Sequence, residues 1–326
     1  MKTEQSVAKK PNIIKNLFAH RESSVFLIII LAVIIVSIIQ PKFLSMSNIR
    51  AVAIGLSTDG LMAIGLTVVL VLGGIDISVG SVSALSCVVT GALFLAGVNI
   101  WVSVLVALLV GVGVGLFDGF MVSKIGLPPF IVTLGMMSLA RGAAYIFTQG
   151  SPLSMGGLPT AFKFFGTGDV VGIPSLFLFF IIVAVFADMM MKRSNVFRNI
   201  FYVGSNENAA KLSGVNVSKV KIWVYILSAA LATLAGILSL ARFNVATPQL
   251  GNMAETRAIA AAVIGGTSMS GGVGSVLGAV LGVILLNLVN SALVMLDVSV
   301  YWQDFVTGAI LVLAVTLDYV SHRKKK

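Results

Sequence analysis

Ten apolar runs, nine of them close to twenty residues long, leave this 326-residue chain almost no choice of fold. A helix needs about 20 mostly apolar residues to cross the hydrocarbon core of a bilayer. The runs at 23–40, 50–72, 79–97, 101–121, 129–147, 173–191, 222–242, 276–296 and 301–320 meet that requirement. A tenth, at 255–266, is too short to span and leads into the glycine-rich GGTSMSGGVGS. Broken or re-entrant helices look like this, and such backbone survives at membrane depth only against protein or a water-filled path. Composition agrees. Hydrophobic residues make up 58% of the chain and charged residues 10%, against about 25% charged in soluble domains. A soluble protein of this size has too little interior to hide so much apolar surface. Many of the 33 glycines sit within the apolar runs, where small residues let membrane helices approach closely. The expectation is an all-α, polytopic integral membrane protein with about ten transmembrane or re-entrant helices, forming a single transmembrane domain over residues 23–321.

Charge sets the expected orientation. Basic residues cluster in the tail 1–22 (Lys2, Lys9, Lys10, Lys15, Arg21), in the loop 192–221 (Lys192, Arg193, Arg198, Lys211, Lys219, Lys221) and in the tail 322–326 (Arg323 to Lys326). Ten spans with the N-terminus inside put all three clusters in the cytoplasm, as the positive-inside rule requires. Nine spans would put the C-terminal cluster outside, so the short tenth segment counts as a span. The net charge of +10 is then a topological signal. It also attracts anionic lipid head groups, and nucleic-acid binding is not needed to explain it. The first run begins near Ser24 after a basic tail, with no small-residue cleavage site following it, and reads as a retained helix.

Whole classes of chemistry drop out. One cysteine, Cys87, and two histidines, His20 and His322, make neither an intrachain disulfide nor a metal-ligand cluster. The glycine-rich 265–274 segment resembles a phosphate loop only superficially. The G-x-x-x-x-G-K-[ST] motif needs a lysine, and none lies between Lys221 and Lys324. The chain is therefore expected to be no enzyme and to hold no cofactor of its own. Thr267 and Ser268 in that segment are candidates for lining a path, with close helix packing through small residues the favoured alternative. GGIDISVGSVSAL at 73–85 and GGTSMSGGVGSVLGAVLG at 265–282 form a faint internal echo, resting largely on Gly and Ser.

Few charges fall inside the apolar runs. Asp76, with Ser78 two residues on, sits in the break GGIDISVG that follows the second run, and is placed at the cytoplasmic end of that span. It is a candidate for the permeation path or for holding the loop; capping the next helix is the favoured reading. Arg141 lies twelve residues beyond Pro129, about 18 Å along its helix. A buried arginine faces the bundle interior or a cavity. Donation to the hydroxyls of a solute is one role, and structural pairing with a carboxylate such as Asp59 or Asp118 is preferred. Asp118 and Asp188 are read as near the cytoplasmic interface.

The polar stretch 203–221, VGSNENAAKLSGVNVSKVK, reads as a short amphipathic helix beginning at Asn206 as N-cap, with Glu207 in its first turn and Gly214 ending it in a left-handed turn. Its pattern N-E-x-A-x-x-L-S-G-V-N-V resembles the cytoplasmic coupling segment of sugar-importing ABC transporter permeases. Three more stretches, at 66–85, 127–152 and 258–278, resemble the permeases of ribose-, xylose-, allose- and galactose-type importers. The resemblance implies that Asn206, Glu207, Ala209, Ala210, Leu212 and Gly214 dock on a cytoplasmic ATPase subunit with two nucleotide-binding halves, which binds the ATP and Mg. It also implies an extracytoplasmic solute-binding protein, a homodimer or a heterodimer with a paralogous permease, and a bacterial cytoplasmic membrane. One departure is that Asn208 interrupts the adjacent E-A-A seen in several importer classes. The alternative from another class is an ion-coupled secondary transporter, for which Asp76 and Asp59 would be the ion-binding carboxylates.

Overall fold

A computed structural model describes residues 21–323; the basic residues Lys2, Lys9, Lys10, Lys15 and Lys324 to Lys326 lie outside the described residues. Ten helices run through the bundle: α1 (Arg21–Ile39), α2 (Met46–Val71), α3 (Val79–Leu95), α4 (Ile100–Phe120), α5 (Pro129–Thr148), α7 (Ser175–Arg193), α10 (Val217–Phe243), α11 (Ala254–Ile264), α12 (Val276–Met295) and α13 (Val300–Arg323). Each coincides with one of the ten apolar runs. Seven are individually long and apolar enough to cross a bilayer, so the chain is a polytopic helical membrane protein. Three further helices, α6 (Thr160–Thr167), α8 (Asn195–Ser205) and α9 (Glu207–Leu212), lie in the connections. Among the described residues, strand is confined to two small antiparallel pairs, β1 (Leu153–Ser154) with β4 (Val245–Ala246) and β2 (Asp169–Val170) with β3 (Ile173–Pro174).

Helices α2 and α10 form the centre. They pack on each other, and α10 also packs along α3 and α4. Both are buried along most of their length, and small residues allow the close approach. A Cβ on Gly65 would meet the backbone of Ser228, one on Gly115 that of Ile226, and one on Gly119 that of Ile222. In a bilayer this kind of small-residue contact, together with hydrogen bonding, holds helices together, because lipid tails are as apolar as leucine. Helices α1, α4, α5 and α7 turn large apolar side chains outward, among them Leu31, Leu109, Ile146 and Val185.

Two breaks interrupt the bundle from opposite ends. After α2 the chain reverses at Gly73, with φ +83°, and re-enters the bundle as an extended segment before α3 begins. After α10 it re-enters from the other side through residues 244–253 before α11 begins. The two half-helices therefore start inside the protein and run to opposite faces. Their starts meet: a Cβ on Gly80 would collide with the Gly251 carbonyl and the Glu255 carboxylate. Only glycine fits between these two chain segments.

Candidate functional site

The first part of the site is the connection between α7 and α10. Ser194 accepts the Val196 amide at 3.3 Å and starts α8, whose apolar side buries Ile200 and Val203. Asn206 then accepts the Ala209 amide at 2.9 Å and caps α9. Gly214, with φ +83°, closes α9 by donating to the Lys211 carbonyl, while the Val215 amide bonds the Ala210 carbonyl. This is the left-handed ending that glycine makes without strain. Ala210 packs inward and Leu212 is 90% exposed, so α9 keeps one face on the protein and offers the other outward. Glu207 accepts an ion pair from Lys221 of α10 at 2.8 Å, tying the short helix to the bundle.

The root of α9 is a three-way backbone junction. A Cβ on Gly204 would strike the Val71 carbonyl, and one on Gly271 would meet Gly73 and the Gly204 carbonyl. The Gly272 amide donates to the Val71 carbonyl at 2.8 Å. The end of α2, the end of α8 and the 265–274 turn thus touch at one point. Thr267 and Ser268 are fully buried in this turn, where the Ser268 amide bonds the Val273 carbonyl at 2.9 Å.

The second part of the site is the pair of breaks. Asp76 was expected at the end of the second span. It lies instead beside Ser228, near the middle of α10, with only 1% of its surface exposed. Its Oδ1 accepts the Ser78 amide at 3.0 Å and the Ser78 hydroxyl at 2.7 Å, and its Oδ2 accepts the Ser228 hydroxyl at 2.8 Å. It therefore orders the start of α3 and bolts the break to α10. The Tyr225 hydroxyl donates to the Ile75 carbonyl at 3.3 Å. Lys221, Tyr225 and Ser228 follow one face of α10, so a single stripe runs from Glu207 to Asp76.

Arg141 does not pair with Asp59 or Asp118. Its Nη1 donates to the Pro248 carbonyl and, at 2.7 Å, to the Leu250 carbonyl. Re-entrant backbone needs donors for its carbonyls, and arginine offers several in a fixed fork. Asp59 is taken by Arg257 of α11, with Nε–Oδ2 at 3.3 Å and Nη2–Oδ1 at 3.4 Å. Asp118 is buried, and its Oδ1 finds no hydrogen-bond partner among the described residues. Asp188 pairs with Lys192 at 2.7 Å. The six positions expected to dock on a partner gather at one end of the bundle; Asp76 and Ser78 lie within it, Arg141 holds the opposite break, and Thr267 and Ser268 lie against the root of α9. The structure does not bring these last residues into one cavity.

Sequence reasoning missed Lys221, Tyr225, Ser228, Arg257 and Gly204. The polar stripe on α10 was a readable signal; the role of Gly204 was not, because its partners are far away in sequence. Arg141→Ala is expected to reduce the yield of folded protein severalfold, since two part-buried carbonyls lose charge-assisted bonds worth about 1.5–3 kcal/mol each. Arg141→Lys should recover part of that loss, and size-exclusion of the detergent-solubilised protein checks both.

The polytopic bundle with paired half-helices and an outward-facing loop helix defines a transport permease. The family described as branched-chain amino acid transport system / permease component matches residues 48–315, and the chain belongs to it. The chain is 38% identical to the ribose import permease protein of Escherichia coli K12, over 97% of this chain and 98% of that one. It is 36% identical to the D-allose transport system permease protein of the same organism, over 98% and 97%. It is 35% identical to the ribose import permease protein of Bacillus subtilis 168, over 90% and 91%. No solved structure matches the chain. The sugar-permease resemblance of the motifs therefore extends over nearly the whole chain.

Proposed function

We propose that this chain is the membrane-spanning subunit of an ATP-driven importer that carries a monosaccharide or similar small solute across the cytoplasmic membrane of a bacterium. An ATPase subunit with two nucleotide-binding halves supplies the energy, a solute-binding protein delivers the substrate on the far side, and two permease chains, alike or paralogous, enclose the path. The named relatives carry ribose and allose, which supports the substrate class.

The observation that carries the mechanism is the way α9 is mounted. Its outer face is free, and its root touches both the α2 turn and the 265–274 turn at the Gly73, Gly204 and Gly271 junction. A partner that shifts α9 pushes on two backbone segments at once. The Glu207–Lys221 pair and the Tyr225 and Ser228 hydroxyls pass the same displacement along α10 to the segment that holds Asp76. Close-packed elements respond by moving between discrete arrangements, not by bending continuously. Movement of the break against α10 then changes access from one side to the other, as repeat-built transporters do.

The test uses purified chain, ATPase subunit and binding protein in liposomes. Glu207→Lys combined with Gly214→Pro opposes the dipole of α9 and removes its left-handed ending. The pair sits on the surface, so insertion is expected to be normal. Stimulated ATPase activity and uptake should fall roughly tenfold or more, the equivalent of about 1.4 kcal/mol of lost coupling. Unchanged uptake would remove the docking role. Uptake driven by an ion gradient with no ATPase present would establish the secondary-transporter reading instead.

A further inference from the structure

Helices α7 and α10 both pack on α2 but not closely on each other. Between them runs a trough of about 630 Å³, a volume in the range of small-molecule sites, ~300–1,000 Å³. Its floor is Ile64 and Val68 of α2, and its sides include Phe186 and Met190 of α7 and Leu227 of α10. Both flanking helices are long and apolar enough to cross a bilayer, so the apolar length of the trough runs at the depth of the hydrocarbon. It is polar at one end only. There α8 closes it, and Asn199, Asn216 and Lys219 line it.

We propose that this trough binds an anionic glycerophospholipid, with one acyl chain along α2 and the phosphate against Lys219, Asn199 and Asn216. Three observations select this occupant. The lining contains no acidic side chain, and Lys219 makes no ion pair among the described residues, so the polar end carries an uncompensated positive charge. Trp223, 64% exposed, flanks that end, where tryptophan marks the level of the head groups. The polar groups are confined to one end and the rest is uniformly apolar, which matches an amphiphile with one anionic head and a long tail. A partner helix would meet Lys219 only at its tip and would need no cationic end. The lipid would sit under α8 and beside α10, in contact with both elements that carry α9. Its binding does not depend on the transport reading.

The experiment uses the full chain, assembled with its ATPase subunit, in phosphatidylcholine vesicles containing a minor fraction of phosphatidylglycerol. A trace of phosphatidylglycerol carrying a diazirine in its acyl chain is photoactivated, and the labelled peptides are mapped. Labelling of residues 183–200 and 216–231 is expected to exceed that of the lipid-facing peptides of α1, α4 and α5 by roughly fivefold, as a held lipid differs from bulk lipid. Lys219→Glu should remove most of that excess, and Ala187→Trp should remove it by filling the trough. A phosphatidylcholine probe should label the trough no more than the other helices. Equal labelling of all outer helices by the anionic probe would overturn the proposal, as would labelling unaffected by Lys219→Glu. Protection of the trough from both probes would show a protein segment seated there and would overturn it too. The wild-type map stands alone if either variant fails to assemble.

Discussion

Asp76→Ala is expected to leave almost no folded protein. The carboxylate is buried to 1% exposure and accepts one amide and two hydroxyls. Alanine strands the Ser78 amide and deprives both hydroxyls of their acceptor, and each unmet buried group costs about 1–3 kcal/mol. The sum is comparable with the whole stability of a typical domain, about 5–15 kcal/mol. Asp76→Asn should be milder: its amide oxygen still accepts from Ser78, and the Ser228 hydroxyl can turn to accept from the new NH₂. Fluorescence-detected size-exclusion and thermal unfolding in detergent check the order wild type, Asn, Ala. A well-folded Asp76→Ala protein with uptake selectively lost would place Asp76 on the solute path and remove its structural role.

The second large effect belongs to Arg257 and Asp59. Removing one member of a partly buried pair leaves the other charge uncompensated, at a cost of about 3–5 kcal/mol. Arg257→Leu and Asp59→Leu should each unfold well below wild type. The double variant should regain most of the loss, because well-packed apolar residues replace a buried ion pair at little cost. Arg257 also donates to the Asn252 carbonyl at 3.1 Å, so recovery should stop short of wild type. If the double variant unfolds with Arg257→Leu alone, that carbonyl contact outweighs the pair.

The spans were legible because length and apolarity are local properties. Even α11, at Ala254–Ile264, announced itself by being too short and by leading into glycines. The cap and ending of α9 were also local: Asn206 and Gly214 act on atoms within a few residues. Depth was not legible. Asp76 looks like the edge of a span, because nothing in GGIDISVG says that the backbone turns at Gly73 and goes back in. Arg141 invited a carboxylate partner by the usual cost of a buried charge, and the carbonyls it serves belong to a break visible only in three dimensions. Helix α8 was missed because its apolar positions sit among Asn and Arg within a basic loop, so the charge pattern hid the buried face.

The contacts of Arg141 also set an order of events during synthesis. Its two acceptors lie 107 and 109 residues further along the chain, and the Ser228 hydroxyl lies 152 residues beyond Asp76. At a ribosomal pace of about 5–20 residues per second, α5 waits on the order of 5–20 s before the 244–253 segment emerges. Throughout that interval a guanidinium sits in the nascent bundle without its carbonyls. The early helices must therefore be held by the insertion machinery or by water drawn in around the charge. The first half of the chain becomes a settled structure only when the second half arrives.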